Sequence, residues 1–342
     1  MRELVEALCS DECAGRAPGT PGGVLARRYV IDALRAAGLD PHEQAVPKAN
    51  GANVIATLAP KDIDRYVMVA AHYDHLGKSG KHIFRGADDN AAAVAILVEV
   101  ARGLAKERPD GRGVIIAAFD AEEPPHFMSG SMGSEHFARH PTVALDKIDL
   151  MVCMDLVGHS FGGPMVPSEV RETVFALGAE RSRGTLEMVD AIGDAEAGVR
   201  VRTADAEIIP PLSDYAAFWD RHRPFMLLTN GRSRVYHTPE DVPELLAYDK
   251  MAATARWLER LTRQQCARDE EPFAFSGSRN DRCTLTSLEG VLAPLEPFDS
   301  RAAFALERAR ELRGKLDAKG RLPSALSGEL SMLVAGLENA LA

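Results

Sequence analysis

Three apolar segments of the chain run directly into acids or histidine. VMVAAHYD carries His72 and Asp74, which the two-residue period of a strand puts on one side. VIIAAFDAEE runs into Glu122 and Glu123, and LMVCMD runs into Asp155. GADDN sets Asp88 and Asp89 at the start of a helix that begins near Ala91. YHTPED puts His237 in a loop beyond the apolar run PFMLLTN. Ligands of open α/β sheets gather outside the carboxyl ends of strands, the place these residues occupy. Taken singly, each has an ordinary explanation: Asp89 can cap a helix, two glutamates can line a solvated loop, and a lone His-x-Asp is usually a surface pair. Taken together they carry a physical demand. If Asp89, Glu122, Glu123 and Asp155 converge, four carboxylates crowd together, which raises pKa values or requires a cation. Two imidazoles with carboxylates are a donor set that zinc prefers. The charges of Asp89, Glu123 and Asp155, with one hydroxide, balance those of two zinc ions.

The elements that must position these residues are legible from periodicity. Arg2 to Leu8 is helical, GRAPGTPGG is a turn-rich loop, and Val24 to Ala37 is an amphipathic helix stopped by Gly38, so residues 1–38 form a helical lead-in. NVIATLAP and YVMVAAHY are rich in strand formers. From Asp89 to Leu104, apolar residues recur at helical spacing. VIIAAFDAEE and LMVCMDLVG read as strands flanking the short helix GSEHFARH. Farther on, ETVFALGA and GVRVRTA are candidate strands around a helix at 184–192. PFMLLTN is a strand, and Asp249 to Leu261 a helix. This alternation predicts a three-layer α/β/α fold with a central mixed, mostly parallel sheet. The composition changes near Thr262. Residues 1–265 read as the catalytic domain and 266–342 as a C-terminal helical extension, with a hairpin of helices at Arg301–Leu316 and Ser324–Leu341 that can pack on the main domain or pair two copies of the chain.

Composition excludes other classes. With 342 residues and 46% hydrophobic content, the chain can bury a large core. Its formal charge of −10 disfavours nucleic acid and anionic membranes as partners. No apolar run reaches the roughly 18 residues of a membrane span. The opening MRELVEALCSDE carries acids where a signal peptide is apolar, so a cytoplasmic location is expected. Five cysteines without zinc-ribbon spacing argue against a disulfide framework. Cys9 and Cys13, four residues apart, read as half-buried packing residues, and Cys153 as core.

In order and spacing, AHYDHLG, GADDN, DAEE, MDLVG and YHTPED resemble the co-catalytic two-zinc exopeptidases typified by bacterial leucine aminopeptidases. That family's relatives include glutamate carboxypeptidase-like enzymes, glutaminyl cyclases and a metal-free transferrin-receptor branch. The resemblance runs from about Gly15 to Leu261. It implies that His72 and Asp155 bind one zinc, Glu123 and His237 the other, and Asp89 bridges them. It further implies that Asp74 stands behind His72, accepting a hydrogen bond from it. Glu122 is the implied general base, and Tyr236 a donor to the oxyanion. The implied reaction is release of N-terminal residues from peptides. The alternatives are a single-zinc cyclase, a carboxypeptidase-type enzyme with Arg232 or Arg234 receiving the substrate carboxylate, and a metal-free binding protein. Two departures stand out. PPHFMSGSM is longer than the usual connection and is expected to form a rim, with His126 or Phe127 near substrate. Tyr215 stands where the family often has histidine.

Overall fold

Runs of Val, Ile, Ala and Met that are apolar on both faces fold as central strands, because only strands covered on both sides tolerate such sequences. The computed structural model describes residues 1–193, 196–269 and 271–342. Its strands are β1 (His42–Val46), β2 (Gly51–Leu58), β3 (Tyr66–His72), β4 (Lys78–Ser79), β5 (His82–Ile83), β6 (Gly113–Phe119), β7 (Ile148–Met154), β8 (Thr173–Leu177), β9 (Arg200–Ala204) and β10 (Phe225–Thr229). The α-helices are α1 (Arg2–Leu8), α2 (Pro21–Ala36), α3 (Ala92–Lys106), α4 (Gly133–Arg139), α5 (Ser168–Arg171), α6 (Thr185–Ile192), α7 (Ala216–Trp219), α8 (Tyr248–Cys266), α9 (Asp281–Leu292), α10 (Ser300–Arg313) and α11 (Ser324–Leu341).

Eight strands form one sheet in the order β1-β2-β6-β3-β7-β10-β8-β9, and β4 and β5 form a separate small hairpin. The four central strands, β6, β3, β7 and β10, are mutually parallel, while β1, β2 and β8 join antiparallel. Side chains alternate along β3. Val67, Val69 and Ala71 pack with α1, α2, α3 and α8, whereas Met68 and Ala70 pack with Phe137 of α4 and Phe218 of α7. The expected three-layer α/β/α fold with a mostly parallel centre is therefore borne out. The register aligns the strand ends: His72 pairs with Phe119, and Ala70 with Cys153, so β3, β6 and β7 end at the same edge.

The helix expected near Ala91 is present as α3, but Asp89 does not cap it. The helix begins at Ala92, and a five-residue wide turn, Ala87–Ala91, precedes it. Asp89 has non-helical backbone angles there and makes no side-chain cap. Its carboxylate is therefore free to face the sheet edge. All five cysteines are free and buried, Cys9 and Cys13 more deeply than expected. Among the described residues, no helix is long and apolar enough to cross a membrane.

The C-terminal extension contains the two expected helices, α10 and α11, and a third that periodicity had concealed. In α9, Leu285, Leu288, Val291 and Leu292 are buried at helical spacing, but Thr284, Ser287 and Gly290 dilute the pattern. These helices form their own apolar cluster, which reaches the main domain through Phe161 and Val170. A buried cation fastens the junction. Arg181 donates to Glu180 (2.7 Å), Asp205 (2.6 Å), Glu207 (3.0 Å) and the carbonyl of Gly277 (3.0 Å). Asp205 in turn accepts from the Asn280 N–H (2.5 Å). Removing one member of a buried ion network strands the others. Arg181→Leu should thus lower unfolding stability by about 3–5 kcal/mol in a denaturant titration. The deficit should shrink as pH falls and Glu180, pushed up to about 7 by burial and the Asp205 charge, takes up a proton. A loss below about 1 kcal/mol at neutral pH would show that the network is dispensable.

Candidate metal centre

The common edge of β3, β6 and β7 gathers the acids. Beyond β3 the chain continues through Tyr73, Asp74 and His75, all buried. The Asp74 carboxylate accepts the backbone N–H of Glu122 on one oxygen and that of Glu123 on the other, each at 3.1 Å. One acid leaving β3 thus fixes the turn that presents two acids leaving β6. Asp120, just before that turn, is held by the Tyr73 hydroxyl at 2.7 Å. The Asp89 segment is fixed from both sides. Asp241 accepts the N–H groups of Asp88 (2.9 Å) and Asp89 (3.1 Å). Arg16, wholly buried, donates to the carbonyls of Tyr73 (2.7 Å), Leu8 (3.4 Å), Gly86 (2.6 Å), Asp89 (3.1 Å) and Arg85. Left-handed backbone angles, costly for residues with a Cβ, adjoin the acids at Ala121 (φ 60°) and Leu156 (φ 56°) and occur at His237 itself (φ 56°).

The side chains converge around Asp89. His72 Nε2 lies 3.4 Å from Asp89 Oδ1 and 3.5 Å from Asp155 Oδ1. His237 Nε2 lies 3.1 Å from Asp89 Oδ2 and 3.2 Å from Glu123 Oε2. The two oxygens of one carboxylate therefore face two separate histidine–acid pairs. Glu122 is buried, with Oε2 3.9 Å from His72 Nε2. Asp74 Oδ1 is 3.5 Å from His72 Nδ1. Tyr236 stacks on His237 with ring centroids 3.8 Å apart and, together with Asp155, opens onto a cavity. The eight residues read as chemistry-bearing thus sit together.

Other residues do not take the places expected of them. His126 turns to Ser131 (3.1 Å) within its own loop, and neither it nor Phe127 lines that cavity. Tyr215 is core: it is fully buried, stacked with Phe225 and Trp219, and its hydroxyl meets the main chain of Pro210 and Leu212. Arg232 does line the cavity but is held by Glu338 (3.2 Å), and Arg234 is held by the carbonyl of Ala342 (2.9 Å).

Two buried residues of the site escaped the sequence reading. His75 Nδ1 lies 2.7 Å from Glu123 Oε1 and 3.9 Å from Asp89 Oδ2. The histidine at i+3 in AHYDH was its signal, but it lies past the strand end, where the two-residue period no longer assigns a side. Asp214 is fully buried, and burial, partly offset by His72 and Ser134, pushes its carboxyl up to about 7.

Charge explains how this cluster behaves. Burial opposes protonation of His72, yet Glu122, Asp155 and Asp74 outweigh it and hold the ring well above its ordinary pKa. Burial also lifts Glu122 far above the carboxylate range, against the pull of His72 and with help from Asp155, Asp214 and Glu123. Asp89 rises to about 6, from burial and the Glu123 charge. Glu123 overcomes its burial through His237 and His75 and stays well below the usual range. His237, despite burial, rises to about 10 beside Asp89 and Glu123.

The donor set fits divalent metal. His72, Asp89 and Asp155 form one group, and His75, Asp89 and Glu123 another; within each, the ligand atoms lie within 4.8 Å of one another. Among the described residues, His72 Nε2, Asp155 Oδ1 and His237 Nε2 are buried with no well-aligned hydrogen-bond partner, as atoms aimed at a cation would be.

The profile of peptidase family M28 matches residues 53–262, more than half of the chain and all five anchor motifs. The chain belongs to peptidase family M28. The family expected from the motifs is thereby borne out. Among relatives, the glutaminyl-peptide cyclotransferase of Bos taurus is 27% identical over 274 residues, spanning 68% of this chain and 73% of that protein. The Legionella pneumophila LapA aminopeptidase structure superposes with a TM-score of 0.62 at 15% identity, covering 79% of this chain and 73% of that one. The Porphyromonas gingivalis glutaminyl cyclase structure gives 0.61 at 20% identity, covering 77% and 96%. At these identities the two structures share the M28 fold with this chain.

Asp74 is the contact most open to a conservative test. Asp74→Asn keeps the shape but turns an NH2 group toward one of the two N–H groups the carboxylate accepted. A partner behind a metal-ligating histidine typically contributes 10- to 100-fold in metal affinity or activity. Zinc titration of Asp74→Asn should therefore show affinity weakened by roughly that factor. Wild-type affinity would remove Asp74 from the metal-positioning role.

Proposed function

We propose that this M28 protein is a zinc-dependent aminopeptidase that holds two zinc ions. The observation that carries the reading is the double-facing carboxylate of Asp89, with His72 3.4 Å from Oδ1 and His237 3.1 Å from Oδ2. His72 and Asp155 would hold one ion, Glu123 and His237 the other, and Asp89 both; His75, beside Glu123, would steady the second pair. When bound, such a pair of cations makes a water acidic enough to attack at neutral pH and polarises the scissile carbonyl.

The chain's own groups do the rest. Glu122, which burial and neighbouring acids make a stronger base than an ordinary glutamate, takes the proton of the attacking water and delivers it to the departing amine. Asp74 orients both His72 and the Glu122–Glu123 turn. Burial and the nearby acids hold the Tyr236 phenol protonated, ready to donate a hydrogen bond to the oxyanion. Acidic surroundings favour recognition of a substrate amine. A carboxypeptidase reading loses its anchor, because Arg232 and Arg234 are already engaged. A glutaminyl cyclase is the second reading, favoured by the bovine relative and by the long PPHFMSGSM connection.

Metal analysis with activity decides between them. Leucyl p-nitroanilide should be cleaved by protein carrying close to two zinc ions per chain, chelation should abolish cleavage, and zinc should restore it. Glu122→Gln should keep the metal and lose roughly 10²–10⁴-fold in kcat. Turnover of that variant at the wild-type rate would refute the base assignment. Cyclisation of an N-terminal glutaminyl peptide without release of any residue, by protein holding one zinc, would replace the aminopeptidase with the cyclase.

A further inference from the structure

The cavity that opens beside Asp155 and Tyr236 has a volume of about 350 Å³. Its wall comes from two sources. Leu177 and Leu227 lie on β8 and β10, within the residues matched by the M28 profile. Leu288 of α9 and Val334 and Leu337 of α11 come from the C-terminal extension, outside that match. Three hydroxyls in the wall have turned to the main chain, the Ser213 hydroxyl faces Cys153 Sγ (3.8 Å), and Asn230 donates its NH2 to the His159 carbonyl (2.7 Å). The Thr284 hydroxyl accepts the Asp205 N–H (2.9 Å), the Ser287 hydroxyl donates to the Thr203 carbonyl (2.6 Å), and the Thr229 hydroxyl accepts the Gly231 N–H (3.1 Å). The charged lining residues are Asp155, at the metal centre, and Arg232 and Glu338, which neutralise each other at 3.2 Å.

We propose that α9 and α11 form a specificity element, closing an apolar pocket that receives a large apolar side chain, aromatic or leucyl, of the substrate's N-terminal residue. The proposal rests on the aminopeptidase reading. Three observations argue for this occupant. The pocket is continuous with the metal centre through Asp155 and Tyr236, so a group entering it is attached to whatever reacts there. Among the described residues, its wall away from the metal centre offers a charged side chain no free counter-charge, because Arg232 and Glu338 are spent on each other. Its volume also suits a large group, since a cavity of about 150 Å³ already admits benzene. An alanyl side chain would leave most of the space unfilled. The Arg232 backbone N–H and guanidinium both reach Glu338 of α11. That contact ties the extension to the loop carrying Tyr236 and His237, so the wall is positioned together with the catalytic groups.

The test uses the full chain loaded with zinc and a panel of Gly-, Ala-, Leu-, Phe- and Trp-p-nitroanilides. Leucyl or aromatic substrates should exceed the alanyl one by roughly 100-fold in kcat/KM. Leu288→Trp, which fills the pocket, should cut the ratio of phenylalanyl to alanyl kcat/KM by at least about tenfold. Leu288→Ala, which enlarges it, should move the optimum toward tryptophan and answers for the case in which the bulky variant does not fold. Calorimetric binding of L-phenylalaninol and L-alaninol provides a readout independent of turnover. The first should bind at least about tenfold more tightly, and Leu288→Trp should erase the difference. Cleavage of all the anilides at similar rates, or variants that slow every substrate equally, would overturn the pocket and leave the aminopeptidase standing. No cleavage of any anilide, with phenylalaninol binding still lost in Leu288→Trp, would do the reverse.

Discussion

Like charges brought together away from water dictate most of what surrounds them. Asp74, Asp89, Glu122, Glu123 and Asp155 meet at one sheet edge with His72, His75 and His237, and nearly all of these side chains are buried. Such a group is tolerable only when each negative charge is answered by a proton, a cation or a hydrogen-bond donor. Every device near the site provides one of these. Main-chain N–H groups answer Asp74 and Asp241. Imidazoles answer Asp89 and Glu123. The left-handed residues Ala121 and Leu156 re-aim the backbone so that these partners meet.

Residues at strand ends could be read from the sequence because two regularities coincide there. An apolar run marks the strand, and the first charged side chain after it marks the sheet edge. This is why His72, Glu122, Glu123 and Asp155 were recognisable without coordinates. Asp89 and His237 were recognisable only as members of motifs, since neither a wide turn before α3 nor a left-handed loop residue has a period of its own. Where no regularity operates, the sequence carries no such signal. His75 lies beyond the last residue of β3, and Asp214 sits in a loop before α7, beside Tyr215. Tyr215 itself is part of an aromatic stack under the sheet, so its substitution for histidine alters packing rather than the cavity wall. Among the described residues, the hydrogen bonds of the Arg16 side chain go to carbonyl oxygens, and carbonyls leave no trace in a sequence.

The extension illustrates the same limit at the level of an element. The apolar spacing of α10 and α11 is clear, but α9 carries a threonine, a serine and a glycine where a helix is usually more hydrophobic. Two of those residues, Thr284 and Ser287, spend their hydroxyls on the main chain around β9. The polar atoms that hide the helix from pattern reading are the ones that dock it. Its apolar face meets the main domain at Phe161 and Val170, where the sheet layer and the helical cluster become continuous.

The carbonyls held by Arg16 belong to the lead-in at Leu8, to the segment after β3 at Tyr73, and to the turn containing Arg85, Gly86 and Asp89. The match to the M28 profile begins only at residue 53. Borders drawn by likeness therefore cut across a unit that physics keeps whole. A fragment trimmed to the recognisable domain would surrender the guanidinium while keeping most of the oxygens it satisfied, and buried carbonyls without donors are costly. In this chain, a residue that lies before the profile match is a foundation of the part inside it.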